Sequence, residues 1–143
     1  MGVTSPWRPC ITRRGMMLLL FAALYAWVAT GILIGPSHPT PGVMHTMWPT
    51  AFRAAEWYIP TTTAVVYAWR IKDWPGWALL LVPPLIRAVS YLYGWTVWVI
   101  TGTEGYERGL WESTLYLFMV GIVLICAGWP DHPPRPDRSG EEQ

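Results

Sequence analysis

From Gly15 to Gly35 the chain runs without a charged residue, and three further stretches, near 48–69, 77–100 and 110–129, are almost as apolar. Each holds about 20 to 24 residues, enough at about 1.5 Å rise per residue to cross a bilayer core of about 30 Å as an α-helix. Backbone polar groups in hydrocarbon must be satisfied inside the element that carries them, which makes helices of such runs. Only 13% of the residues are charged, against about 25% in soluble domains. The fold class expected is therefore all-α: a polytopic membrane protein with a four-helix transmembrane bundle.

Proline and glycine punctuate these runs. The first ends at Gly35-Pro36 and is followed by P-S-H-P-T-P-G, a loop in which proline stops the helix. The second opens at Trp48-Pro49, and the third follows the tight turn R-I-K-D-W-P-G at 70–76. The polar loop T-G-T-E-G-Y-E-R-G at 101–109 precedes the fourth, which closes at Trp129-Pro130. Residues 1–14 read as a basic cytoplasmic N-terminus, 15–129 as the four-span domain and 130–143 as a disordered, proline-rich charged cytoplasmic tail. The first run is too long for a signal-peptide core and no A-x-A site closes it, so it is expected to be a retained span.

Orientation follows from the basic residues in short loops. Arg8, Arg13, Arg14, Arg70, Lys72, Arg135 and Arg138 fall on one side and Arg108 alone on the other. The positive-inside bias places both termini in the cytoplasm. Eleven tryptophans agree, because the indole favours the headgroup level. Trp69, Trp74, Trp77 and Trp129 are expected as anchors at the cytoplasmic boundary, and Trp48, Trp95, Trp98 and Trp111 at the outer one.

Three charges lie deep in the spans, Arg53, Glu56 and Arg87, and Glu112 lies just inside the outer end of the fourth. Charges at such depth pair, face a cavity or work. Arg53 and Glu56 lie roughly 7 and 12 Å below Trp48 at helical rise, and three residues apart on one face. Counted from the shared cytoplasmic end, Glu56 and Arg87 match in height within about 5 Å, so a pair between the second and third spans is expected. One reading makes this pair a packing device, with Arg53 snorkelling to the outer headgroups. The other makes it a charged pocket supported by Tyr58, Ser90, Tyr91 and Glu112, which binds an anionic headgroup or conducts small ions. Pro60 predicts a kink in the second span, with Thr61, Thr62 and Thr63 able to satisfy freed carbonyls.

Other chemistry finds little support. Net charge is +1, without the basic patch of a nucleic-acid binder. Cys10 and Cys126 make no disulfide framework, though Cys10 is placed for palmitoylation. His38 and His45 in the outer loop, without a third ligand, read as solvated residues and not as a metal site. No nucleophile–base pair or phosphate loop is visible, so the chain is not expected to be an enzyme and no cofactor or metal is expected.

Taken together, R-x-x-x-W (Arg53, Trp57), R-A-x-S-Y-x-x-x-W (Arg87, Ala88, Ser90, Tyr91, Trp95), A-G-W-P (Ala127 to Pro130) and the T-R-R-G start resemble small four-span membrane proteins encoded by bacteriophages of actinobacteria. The resemblance covers roughly residues 12–130 and carries no catalytic residue with it. It implies the host cytoplasmic membrane as location and the lipid bilayer as first partner. A homo-oligomer, or another phage or envelope protein, is a further partner consistent with it; nucleic acid is not. Function stays open between holin-like permeabilisation, a non-pore interaction protein (exclusion, immunity or scaffold) and a small carrier or headgroup binder using Glu56 and Arg87.

Overall fold

The computed structural model describes residues 7, 10–36 and 38–130. The tail expected to be disordered, with Arg135, Arg138 and His132, lies outside them, as does Arg8. Among the described residues four α-helices make the fold, α1 (Arg13–Ile34), α2 (Thr50–Tyr67), α3 (Trp74–Thr101) and α4 (Gly109–Gly128), with one 3-10 turn at Met44–Met47 before α2. Among the described residues there is no strand. Three of the helices, α1, α3 and α4, are long and apolar enough to cross a membrane. The fourth, α2, has 18 residues, about 27 Å at helical rise, and Arg53, Glu56, Pro60 and three threonines lower its hydropathy.

The helices follow one another antiparallel, α1 against α2, α2 against α3 and α3 against α4, while α1 and α4 touch only sparsely. At one end Arg14 donates to the Trp129 carbonyl at 3.1 Å and to Asp73 at 3.0 Å. That end, the terminal end, gathers the start of α1, the α2–α3 turn and the close of α4. The loop end holds the 3-10 turn and the α3–α4 connection.

Helix starts differ from the sequence reading in two places. Thr12 caps α1 by accepting from the Gly15 N–H, which draws Arg13 and Arg14 into the first turn. Pro75 occupies the first turn of α3, where its missing N–H costs nothing, so α3 begins at Trp74, before the expected Trp77. Trp77 is thereby carried into the helix and is 3% exposed. It is a core residue, not the interfacial anchor expected, and its indole N–H donates to Asp73 at 3.3 Å. Trp48, Trp69, Trp74, Trp111 and Trp129 are exposed near helix ends, while Trp95 and Trp98 are half-buried.

The core fills the terminal half. Leu18, Phe21, Ala22, Tyr25 and Ala29 recur at helical spacing on α1 and meet Trp57 and Ala64 of α2, Trp77 and Leu80 of α3, and Val123 and Cys126 of α4. Ring edges meet ring faces from Trp77 to Phe21 (6.1 Å), Phe21 to Tyr25 (6.4 Å) and Tyr25 to Trp57 (4.8 Å), the geometry aromatic quadrupoles favour. Proline shapes this core. Pro84 has no N–H for the carbonyl four residues earlier, that of Leu80. The Tyr25 hydroxyl donates to that carbonyl at 2.7 Å. In α2 the Thr61 and Thr63 hydroxyls return to the carbonyls of Trp57 and Ile59, whereas the carbonyl that Pro60 frees is that of Glu56.

Candidate functional site

The loop half is built differently. Glu56 sits on the α2 face turned toward α3, beside the buried Trp57, and Arg87 on the α3 face turned back toward α2. Arg87 Nη2 lies 3.1 Å from Glu56 Oε2, and the two side chains are 6% and 5% exposed. The guanidinium also rests 5.7 Å from the Trp57 ring centroid, a cation–π distance. Both charges are thus inside the bundle, where removing either leaves the other unpaired in a low-dielectric setting.

The pair is not fully satisfied. Glu56 Oε1, Arg87 Nε, Trp57 Nε1 and Arg53 Nε are all enclosed with no hydrogen-bond partner among the described residues. Buried polar atoms are partnered in the great majority of cases, so four on two facing helices mark this locus as polar by construction. Arg53 is half-buried and makes no ion pair with Glu56, whose carboxylate is committed to Arg87. The local Arg53–Glu56 pairing open to the sequence is therefore not formed, and the Arg53 Nε is enclosed.

The supporting residues divide into two groups. Ser90 and Tyr91 line the locus from α3, and Tyr91 stacks on Tyr116 of α4 at 5.7 Å with the rings 11° from parallel. Glu112, in the first turn of α4, is half-buried near the same tyrosines. Tyr58 departs from the expectation: its hydroxyl bonds Thr30 of α1 at 2.9 Å, so it serves the α1–α2 contact.

His45 is the residue that sequence reasoning misplaced. Expected as a solvated loop histidine, it is 1% exposed. Its backbone N–H donates to Ser90 Oγ at 3.0 Å, and Nδ1 lies 2.9 Å from the same oxygen. Its ring meets Tyr91 edge to face at 5.0 Å. Burial first, and then the positive charge of Arg87 and Arg53, push the imidazole down to about 3, far below the usual histidine range. The sequence signal was slight: of the loop's apolar side chains Val43 is buried beside His45, while Met44 and Met47 are exposed.

Among the described residues no three His, Cys, Asp or Glu side chains converge as a metal site would require. Comparison of the chain with protein-family models, curated proteins and solved structures returns no match. The functional reading therefore rests on geometry.

Proposed function

We propose that this chain is a four-span membrane protein with both termini on the cytoplasmic face of a bacterial inner membrane, carried by an actinobacterial phage, and that it permeabilises that membrane in the manner of a holin. The observation that carries this reading is the concealment of the polar face of α2. This helix holds both Arg53 and Glu56. Glu56 is turned onto α3 and away from the lipid-facing exterior, and the Arg53 Nε is enclosed. A permeabilising protein needs this arrangement, since it must insert and accumulate without leaking and then turn polar surface toward a lumen. The sparse α1–α4 contact leaves one seam of the bundle lightly held, which is where such a rearrangement meets least resistance.

Four spans are supported by the antiparallel placement of α2 between α1 and α3. The orientation is supported by Arg13, Arg14, Arg70 and Lys72 at the terminal end against Arg108 at the other. Inducible expression with a membrane-potential dye and a co-expressed endolysin tests the function. Collapse of the potential followed by endolysin release is the expected result; intact potential at high membrane abundance would refute it.

A second reading is favoured by the unpartnered atoms around the pair. Glu56 Oε1 and Arg87 Nε are free to engage a polar ligand, such as an anionic headgroup. Under that reading Arg87→Lys, which keeps the charge but not the guanidinium, weakens binding at normal abundance, and the potential stays intact throughout.

A further inference from the structure

We propose that residues 40–48 form a lid over the Glu56–Arg87 locus, latched by the neutral imidazole of His45 and released when that imidazole takes a proton. The segment does not follow the surface as a connecting loop usually does. Val43, His45 and Thr46 are 0%, 1% and 8% exposed, while Met44 and Met47, between and beyond them, face outward at 53% and 74%. One face of the turn is therefore inserted and the other is free. Thr46 closes the turn on itself by donating to the carbonyls of Thr40 and Val43, so the segment moves as a unit.

Glycine makes the close fit possible. Gly42 adopts φ +73° and Gly105 φ +101°, both in the left-handed region that favours glycine. A Cβ on Gly42 would collide with the Gly105 backbone, and one on Gly105 with the backbones of Gly94 and Trp98. The lid, the α3–α4 loop and α3 thus press backbone on backbone. Behind the lid a groove of about 480 Å³, lined in part by Met44, Met47, Tyr93 and Val97, gives it space to swing.

The latch reads protonation through its hydrogen bonds. Ser90 Oγ accepts the His45 backbone N–H, and among the described residues its own proton has His45 Nδ1 as acceptor. With the ring proton on Nε2 the Ser90 hydroxyl donates to Nδ1 and the imidazole is neutral. The groups around it oppose a cation. Arg53 faces it from α2 and Arg87 from α3. Tyr91 of α3 touches it, backed by Tyr106 of the α3–α4 loop and Tyr116 of α4. Of the two nearby carboxylates, Glu56 is committed to Arg87, and Glu112 acts on Tyr91 and Tyr116 and not on the imidazole. A proton on His45 therefore adds a third positive charge to a cluster whose facing carboxylate, Glu56, is already paired with Arg87.

The sign follows. With the lid closed the imidazole titrates at about 3, and with it open at about 6.5. The open form binds the proton first, so each pH unit below about 6.5 favours opening about tenfold until about 3. Between pH 7 and pH 5 the shift is about 25-fold.

The test uses the full chain in detergent, where both ends are reachable and the membrane orientation and pore reading play no part. In a Cys10→Ser, Cys126→Ala background, Val43→Cys is labelled with a methanethiosulfonate reagent, its rate divided by that of the exposed Met47→Cys. The expected ratio rises about 25-fold from pH 7 to pH 5 and becomes pH-independent when His45→Asn is added. A ratio that ignores pH, or the same rise with His45→Asn, overturns the proposal. Histidine-selective ¹⁵N NMR on the unsubstituted chain gives a second arm: His45 should stay neutral below pH 5 while the loop is closed and His38 titrates. A His45 that titrates near 6.5 with the loop still closed overturns it equally.

Discussion

The two halves of the bundle solve opposite problems. The terminal half is dry: Leu18, Phe21, Tyr25, Trp77, Leu80 and Val123 pack without a charge among them, and the Tyr25 hydroxyl completes the carbonyl that Pro84 strands. Its ion pair, Arg14–Asp73, stays at the rim with side chains 19% and 10% exposed. The loop half buries Glu56, Arg87, His45 and Ser90 and leaves four polar atoms without partners among the described residues. Enclosed polar atoms without partners occur at both ends, Arg14 Nε and Arg70 Nε at the terminal one, but in the loop half they surround an ion pair inside the bundle. The contrast holds within a single helix: α3 contributes Trp77 and Leu80 to the dry half and Arg87 and Ser90 to the polar one.

Substitutions that break each half should differ in size. The largest effect is expected from Glu56→Ala, which leaves the Arg87 guanidinium buried and unpaired and should cost about 3–5 kcal/mol. Thermal or denaturant unfolding in detergent measures it. An effect below about 1 kcal/mol would mean that the pair is reached by solvent and the loop half is not sealed. Next comes Tyr25→Phe in the dry half, which orphans the Leu80 carbonyl and should cost about 1–3 kcal/mol on the same assay. Pro84→Ala restores a backbone donor to that carbonyl, so Tyr25→Phe should be milder in that background. The smallest loss is expected from Arg14→Ala at the rim, about 1 kcal/mol, because the Asp73 carboxylate it leaves keeps the Trp77 indole N–H and a share of solvent. Added salt should reduce that difference while leaving the Glu56→Ala effect in place.

Much of this contrast was legible in the sequence, for identifiable reasons. Uncharged runs and Pro/Gly punctuation located four helices, because backbone satisfaction in hydrocarbon leaves one local solution. Equal heights on consecutive helices were enough to bring Glu56 to Arg87, since a short turn fixes the register of a hairpin. Errors arose where tertiary contact decides. Trp77 reads as a boundary tryptophan until Pro75 is seen to start α3 a turn early. His45 reads as solvated until the backbone contacts at Gly42 and Gly105 fold its loop inward. Tyr58 stands two residues from Glu56 in sequence, yet its hydroxyl is taken by Thr30 on a helix whose rotation the sequence does not specify.

The central claim is that Glu56 and Arg87 act as one enclosed unit across α2 and α3. A double-mutant cycle with Glu56→Leu, Arg87→Leu and both together, read by unfolding in detergent, tests it most directly. Each single substitution is expected to destabilise strongly, and the double to lose less than the sum of the two singles, with a coupling of about 1–3 kcal/mol. Additivity within about 0.5 kcal/mol would contradict it.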